Sequence, residues 1–552
     1  MNKDCICKQL KKHSGVLLFA LILLIQVFAL VYIGIHREGL HIDEHYSYIL
    51  SNSYDADRVA NAPHVWNKWL DGDDFKEFLT VEKGEQFAYN SVYDNNAKDA
   101  HPPLFYFLLH TICSLLPGIW SPWIGMIMNI MLILLTQVIL YKLSLELMGN
   151  TIWAIVPPAI YGGMQVFVDT ALFIRMYSLA TFLTVLLVWQ HYHLLSKQKK
   201  LVPIILCGAF TFLGVFTQYY FAFIAFFLAA FSCVFLLSQK KWKYLFAYAA
   251  AMLLGVILVF IVFPAGIIQI TGSETNNVGK EVASNFFDLS GWVTSITSMT
   301  KLMLKGVFDG IKESKLLITN LMTAIAVALG FLRFSRKEEY KKNENRKNVL
   351  VLFLVLATIV TLTVITISHI SGKFLYVRYL YNLFPVIALV GGTGLWLIAE
   401  WLKLNKRVLA CGIIIIALVS TFTIAKNQMC SYMFFERAKS ESAILEHCED
   451  KPLIVLNNGT NYQSTALLHI FSCSDKMYLA NYNNMESMDA VLNQVDYSNG
   501  VVYIILTDTT WSNGFDGNNT MTQIVEKSEV LGKFNNIGYC SFSTAYVALP
   551  EN

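Results

Sequence analysis

About eleven stretches of this chain are apolar over roughly the length that crosses a bilayer, and clusters of lysine and arginine follow nearly every second one. The first runs from Gly15 to Ile35 without a charge. The others lie near residues 120–141, 151–168, 178–195, 201–217, 220–238, 244–270, 316–334, 348–369, 380–399 and 408–425. Lys3, Lys8, Lys11 and Lys12 precede the first stretch, which places the N-terminus inside, so the even-numbered spans return to the cytoplasm. The segments found there are Lys197–Lys200, Lys240–Lys243, Arg333–Lys347 and Lys403–Arg407, whereas the opposite loops are poor in cations. The first stretch is too long for a signal-peptide core and no small-residue cleavage site follows it, so it reads as a retained helix. The alternation predicts a polytopic α-helical membrane protein.

One segment breaks the rhythm. Residues 104–116 are apolar but short, and Pro102, Pro103 and Pro117 bound them. Counting them as a crossing would invert every later loop, so they are expected to form a juxtamembrane helix in the outer interface. Residues 36–102 then form a long first extracytoplasmic loop within a transmembrane domain of residues 1–425. Residues 426–552 form an extracytoplasmic soluble domain. In it, 453–456 and 501–506 have the composition of short buried strands, and Glu486–Val495 reads as helix, which predicts a small α/β domain.

Composition supports the membrane class: 55% of the 552 residues are hydrophobic, 14% are aromatic and only 15% are charged, with mean hydropathy +0.48. A net charge of +3, carried by clusters rather than one face, is too small to argue for a nucleic-acid partner, and none is expected. The ten cysteines show no metal-ligand spacing. Cys113, Cys207, Cys233 and Cys411 fall in apolar runs and read as buried thiols. Cys430, Cys448, Cys473 and Cys540 lie in the C-terminal region, where an oxidising compartment permits disulfides of unspecified pairing. No internal repeat is evident.

The unusual polar residues collect on the outward side. Just past the first span come His41, Asp43, Glu44 and His45; Asp43 is a carboxylate placed to take a proton, with Glu44 bonding backbone or a basic neighbour. The plainer alternative is a solvated helix start with Asp43 as a cap. Asp99-Ala100-His101-Pro102-Pro103 follows, where two prolines restrict His101 to extended conformations. After the third span come Asp169 and then Arg175-Met176-Tyr177. An arginine among apolar residues needs an anionic partner, and its planar fork suits phosphate. A lipid headgroup is the other partner of that kind. Last are Gln218-Tyr219-Tyr220 and Lys373 through Arg378-Tyr379, the latter with two cations on a cation-poor side. Interfacial tyrosines with snorkelling cations are the structural alternative. Carboxylates, a histidine and several cations at one membrane face suit a reaction on a lipid-linked phosphate.

At these residues the chain resembles the polytopic GT-C class glycosyltransferases that use polyprenyl-phosphate sugars. The nearest group is that of the bacterial protein O-mannosyltransferase-like enzymes and aminoarabinose transferases. Asp43-Glu44, His101-Pro102-Pro103-Leu104 and Arg175-Met176-Tyr177 carry the likeness over about residues 10–400; Gln218-Tyr219-Tyr220 and Arg378-Tyr379 with Pro385 match more loosely. The resemblance implies inverting transfer of one sugar from polyprenyl phosphate to a lipid, glycan or protein acceptor outside the plasma (inner) membrane. It assigns Asp43 as base with Glu44 supporting, Arg175 and Arg378 as donor-phosphate ligands with Lys373 as a further cation, and His101, Asp99, Asp169, Tyr177, Gln218, Tyr219 and Tyr379 as lining. Asp169 departs from the family pattern, in which a second acidic residue follows span three. Asp43, Glu44 and His101 are of the type that holds a divalent metal, but several relatives work without one, and no cofactor is assigned. The competing reading is a transporter or lipid flippase, which places charge within Gly- or Pro-broken spans. A sensory protein with a ligand-binding tail is the third.

Overall fold

The computed structural model describes residues 3–37, 39–54, 59, 62–196, 200–272, 344–371, 376–430, 435–458, 461–481, 488–507, 514–540 and 542–551. The chain divides into two compact units. One comprises Met1–Ile35, Ala97–Phe105 and Met126–Cys430; the other comprises His36–Asn96, Tyr106–Gly125 and Ser431–Asn552. The first unit ends at Cys430 but leaves out His36–Asn96 and Tyr106–Gly125, which a single cut at residue 425 would include. The second unit instead joins most of the first loop to the C-terminal region.

The first unit is helical, and the chain is an integral membrane protein. Among the described residues seven helices are long and apolar enough to cross a membrane: Ser14–Ile35, Pro122–Met148, Phe221–Ser238, Trp242–Val262, Val349–Ser371, Val377–Trp401 and Lys406–Lys426. An eighth is counted if the bent pair Gln165–Leu172 and Tyr177–Ser196 is one span. The expected count of about eleven is not reached, and the segment 316–334 lies outside the described residues. Phe28, Ile261, Ile416 and Phe422 are exposed, an arrangement that lipid tails accommodate and water does not. The same surroundings account for Cys411, which is exposed, and Cys233, which is half-buried; only Cys113 and Cys207 of the four apolar-run thiols are buried.

The expected third crossing, 151–168, is corrected by the structure. It is a run of short pieces: a 3-10 turn Trp153–Ile155, then helices Val156–Gly162 and Gln165–Leu172. Pro157 and Pro158 sit at the start of the first helix, where a missing N–H costs nothing, and Gly162-Gly163 ends it. A Cβ on Gly162 would run into the buried Gln26 amide, so glycine lets this side chain pack directly against the backbone. Buried side chains pair carbonyls at these breaks. Gln137 Nε2 donates to Pro158 O at 2.9 Å and to Gln26 Oε1 at 3.0 Å. Ser420 Oγ donates to Gly163 O at 2.7 Å and Thr421 Oγ1 to Gly162 O at 3.1 Å. Satisfying the backbone with buried amides and hydroxyls is what permits irregular chain among membrane helices. Two further spans are shorter than expected: Leu201–Val215 has 15 residues, and Trp242–Val262 stops before Pro264, after which Ala265–Thr271 forms a separate turn. The segment expected in the interface forms an 11-residue helix, Leu104–Ser114.

The second unit is built on a six-stranded mixed sheet in the order β1-β3-β2-β4-β6-β5. Its strands are β1 Trp69–Leu70, β2 Leu453–Asn457, β3 Met477–Asn481, β4 Val501–Leu506, β5 Leu531–Cys540 and β6 Ser543–Pro550. β2 pairs in parallel with β3 and β4; the other pairings are antiparallel. β2 and β4 are buried at every position, as their unbroken aliphatic runs require of central parallel strands. Ile454, Leu456, Tyr503, Ile505, Met521 and Tyr546 form the core of one face. The helix expected at Glu486–Val495 appears as Met488–Leu492. β1 comes from the first loop: Trp69 pairs with Tyr478, and its indole donates to Val491 O at 3.1 Å. Cys448, Cys473 and Cys540 are free thiols.

Candidate active site

In the first unit the site forms where a helix is broken. Gln165–Leu172 and Tyr177–Ser196 meet at 117°, and Arg175 lies in the bend, 4% exposed. The bend is held from a neighbouring helix: Asn129 Nδ2 donates to Phe173 O at 2.7 Å and Asn129 Oδ1 accepts from Ser178 Oγ at 2.5 Å. Arg175 thus precedes the first turn of the Tyr177–Ser196 helix, where unpaired N–H groups and the helix dipole add positive potential. Both features favour an anion at this bend.

Arg175 does not stand by itself. Its Nη2 lies 3.2 Å from His101 Nε2, and His101 Nδ1 lies 2.8 Å from Asp99 Oδ2. The Asp99 and His101 side chains are 19% and 32% exposed. Burial alone would raise the Asp99 carboxyl, but the hydrogen bond from His101, the Ala100 N–H and the charge of Arg175 hold it below the ordinary carboxylate range. Asp99 is therefore a carboxylate across the physiological range. With Nε2 facing an arginine, His101 is held as an acceptor there and is not available as a base. Pro102 and Pro103 carry this segment to Leu104, whose N–H donates to Phe216 O at 3.2 Å.

The third motif joins the second through a residue absent from the sequence prediction. Tyr219 OH donates to Gln269 Oε1 at 2.6 Å, and Gln269 Nε2 donates to the Asp99 carbonyl at 2.9 Å. Burial pushes the Tyr219 phenol above its ordinary range. Gln218 is buried and its carbonyl accepts from Phe221 N at 3.0 Å. The only sign of Gln269 in the sequence is a single amide amid Ile267-Ile268-Gln269-Ile270, which a hydropathy window averages away.

The 3-10 segment Val377–Leu383 carries Arg378 and Tyr379 and packs on the Tyr177–Ser196 helix. Tyr381 meets Tyr177 edge-on with centroids 5.6 Å apart, and its hydroxyl donates to Asp169 Oδ2 at 3.4 Å. Asp169 is buried within Gln165–Leu172, not in a loop after a span as expected. Arg378 lies 4.5 Å over the Tyr376 ring and 5.8 Å from that of Tyr379, which in turn packs against Tyr220 at 5.1 Å. Arg175 and Arg378 thus sit on packed elements of one unit. Lys373 lies outside the described residues.

The second unit holds the acidic pair. Helix Ile42–Asn52 begins with a capping box in which His41 is the N-cap: its side chain accepts from Asp43 N, and Glu44 accepts from His41 N at 2.8 Å. Glu44 is fully buried and paired with the buried guanidinium of Arg37. Asp43 keeps 22% of its side chain exposed. The two carboxylates therefore differ in kind: Glu44 is engaged by Arg37 and the cap, while Asp43 keeps part of its side chain exposed, with an oxygen 3.8 Å from His41 Nδ1. Arg37, a cation on the cation-poor side like Arg378, carried that same signal in the sequence.

Behind this helix start, His45 is fully buried, and among the described residues neither of its ring nitrogens has a hydrogen-bond partner. Burial lowers its pKa well below 6.5, assisted by His469, Arg37 and His41; His469 is lowered by burial and Arg37 in the same way. Both rings are neutral in the folded unit. The unfolded chain binds protons that the folded unit refuses, so stability is full above the unfolded value of about 6.5 and falls as pH drops below it. Hydrogen exchange of β2 and β4 in the full-length protein is expected to lose protection from about pH 7 to about pH 5, with a shallower loss in His45→Leu. A pH-independent protection pattern would contradict neutral buried rings. Among the described residues no three His, Cys, Asp or Glu side chains gather closely enough to hold a metal ion.

No protein-family model and no curated protein sequence matches the chain. Among solved structures it is similar to ArnT from Cupriavidus metallidurans bound to undecaprenyl phosphate, with TM-score 0.51 and 11% identity over 97% of this chain and 98% of that one. The apo state of the same protein gives the same TM-score, identity and coverage. An alignment spanning both chains almost end to end covers the membrane helices and the C-terminal domain alike. The expected polytopic fold with an appended α/β domain is borne out, and it is the fold of the ArnT structures.

Proposed function

We propose that this protein transfers a sugar from a polyprenyl-phosphate donor to an acceptor on the extracytoplasmic side of the plasma (inner) membrane. The observation that carries the reading is the 117° bend, where Arg175 is buried, held 3.2 Å from His101 Nε2 and set before a helix N-terminus, an arrangement that suits an anion. ArnT, whose fold the chain has, is solved with undecaprenyl phosphate, an anion of the matching class. In the proposed reaction the acceptor hydroxyl or amine attacks the anomeric carbon and its proton passes to Asp43. The bond from that carbon to the phosphate oxygen breaks, and the electron pair leaves with polyprenyl phosphate. Arg175 and Arg378, with Lys373 as a third cation, take up the charge that develops on the phosphate. Glu44 supports the Asp43 helix start through Arg37 and His41. Asp99, His101, Asp169, Tyr177, Gln218, Tyr219 and Tyr379 line the donor side.

Purified protein incubated with labelled polyprenyl-phosphate sugars is expected to release free polyprenyl phosphate and move label to an acceptor. Movement of intact donor across a vesicle membrane without cleavage favours the transporter reading instead. That reading draws on one observation, the buried Asp169 and Arg175 at a broken span, which is how carriers place charge. Orientation is tested separately. Single cysteines in residues 62–96 and in the C-terminal domain are expected to react with a membrane-impermeant thiol reagent from outside. Labelling from the cytoplasmic side alone would reverse the proposed topology.

A further inference from the structure

We propose that Asp99 and Gln269 are positioning residues for the Arg175 guanidinium, Asp99 by fixing which ring nitrogen of His101 carries its proton and Gln269 by holding the Asp99 main chain in place. The inference rests on the reading of Arg175 as a ligand of the donor phosphate. An arginine fork only donates hydrogen bonds, so the 3.2 Å contact from Arg175 requires a lone pair on His101 Nε2. The ring proton of neutral His101 is then on Nδ1, which lies 2.8 Å from Asp99 Oδ2. Asp99 accepts it as a carboxylate, held ionised by that hydrogen bond, the Ala100 N–H and the nearby Arg175 charge.

Gln269 fixes the far end of this chain. Its amide nitrogen donates to the Asp99 carbonyl at 2.9 Å and its amide oxygen accepts from Tyr219 OH at 2.6 Å. A flipped amide would set its oxygen against that carbonyl, so the two bonds define one orientation. The run Tyr219–Gln269–Asp99–His101–Arg175 draws on separate stretches of sequence and ends on the fork. Neither Asp99 nor Gln269 needs to touch substrate. Anchoring one amino group of the fork from behind reduces the side-chain freedom lost when a phosphate is bound.

Asp99→Asn tests the chain at nearly constant volume. An amide at position 99 presents N–H to His101 Nδ1, which moves the ring proton to Nε2 and sets donor against donor at Arg175. Gln269→Leu removes both anchoring bonds and leaves the carboxylate in place. The full-length protein is labelled with nitrogen-15 in its histidines, and the His101 signal is assigned by its loss in His101→Phe. The wild type is expected to show His101 protonated on Nδ1. Asp99→Asn is expected to shift it to Nε2, while the signals of the other histidines report an intact fold. In transfer assays both variants are expected to raise KM for the polyprenyl-phosphate donor by about tenfold or more, with kcat changed far less. A wild-type ring protonated on Nε2 or on both nitrogens overturns the inference, as does an Asp99→Asn variant with unchanged tautomer and donor KM. The tautomer is read without substrate. Protein that shows the expected switch but transfers no sugar therefore upholds the positioning chain and overturns the transferase reading alone.

Discussion

Asp43→Asn is expected to lower the rate of sugar transfer by about 10²–10⁴-fold, the usual loss when a general base is removed, while leaving the protein folded and donor binding intact. The structure sharpens this expectation, because the competing role for Asp43 is already filled. A helix-start carboxylate is most often a cap, but the cap of Ile42–Asn52 is His41, and Glu44 closes the box. The Asp43 contribution to that cap is its backbone N–H, which donates to His41 Nδ1 at 3.1 Å and survives in the Asn variant. Glu44→Gln is the contrasting case. It neutralises one partner of a pair in which Glu44 is 0% and Arg37 5% exposed, and breaking such a buried pair costs about 3–5 kcal/mol. The two variants therefore separate: Asp43→Asn loses turnover at unchanged thermal stability, whereas Glu44→Gln loses stability of the second unit. Transfer close to wild type in Asp43→Asn would remove Asp43 from the chemistry.

The second large effect is expected at Arg175. Arg175→Ala should weaken use of the polyprenyl-phosphate donor by about 1.5–3 kcal/mol, the contribution of a hydrogen bond to a charged group, or roughly ten- to a hundredfold in KM. Arg175→Lys should recover only part of this. Lysine keeps the charge but lacks the planar fork that contacts His101 Nε2 and a phosphate together. Arg378→Ala should act in the same direction. Its guanidinium rests on the Tyr376 and Tyr379 rings, so truncation also removes cation–π contact, and the Tyr379→Leu variant separates the two contributions. Binding of polyprenyl phosphate to the purified protein, measured without any acceptor, is the direct check. Unchanged binding in Arg175→Ala would move the phosphate site to Arg378 or Lys373.

The sequence alone determined the class of protein and most of its polar landmarks, because both depend on local properties. Bilayer length and lack of charge commit a segment to a membrane helix whatever surrounds it, and aliphatic runs such as Val501–Leu506 commit to central strands for a similar reason. Asp43, His101, Arg175 and Arg378 were legible because charge beside an apolar span is costly and conspicuous. Three things were decided only by tertiary structure. The broken third span is held by Gln26, Gln137, Ser420 and Thr421, remote in sequence, which hydrogen-bond the Pro158, Gly162 and Gly163 carbonyls at the Pro157-Pro158 and Gly162-Gly163 breaks. The first loop enters the C-terminal sheet through β1, whose pairing with β3 spans most of the chain. The third is the path from Tyr219 through Gln269, Asp99 and His101 to Arg175, in which a neutral amide amid isoleucines carries no local signal. A helix or a strand is specified by its own periodicity, whereas a hydrogen bond between distant residues is specified only once the elements that carry them have packed.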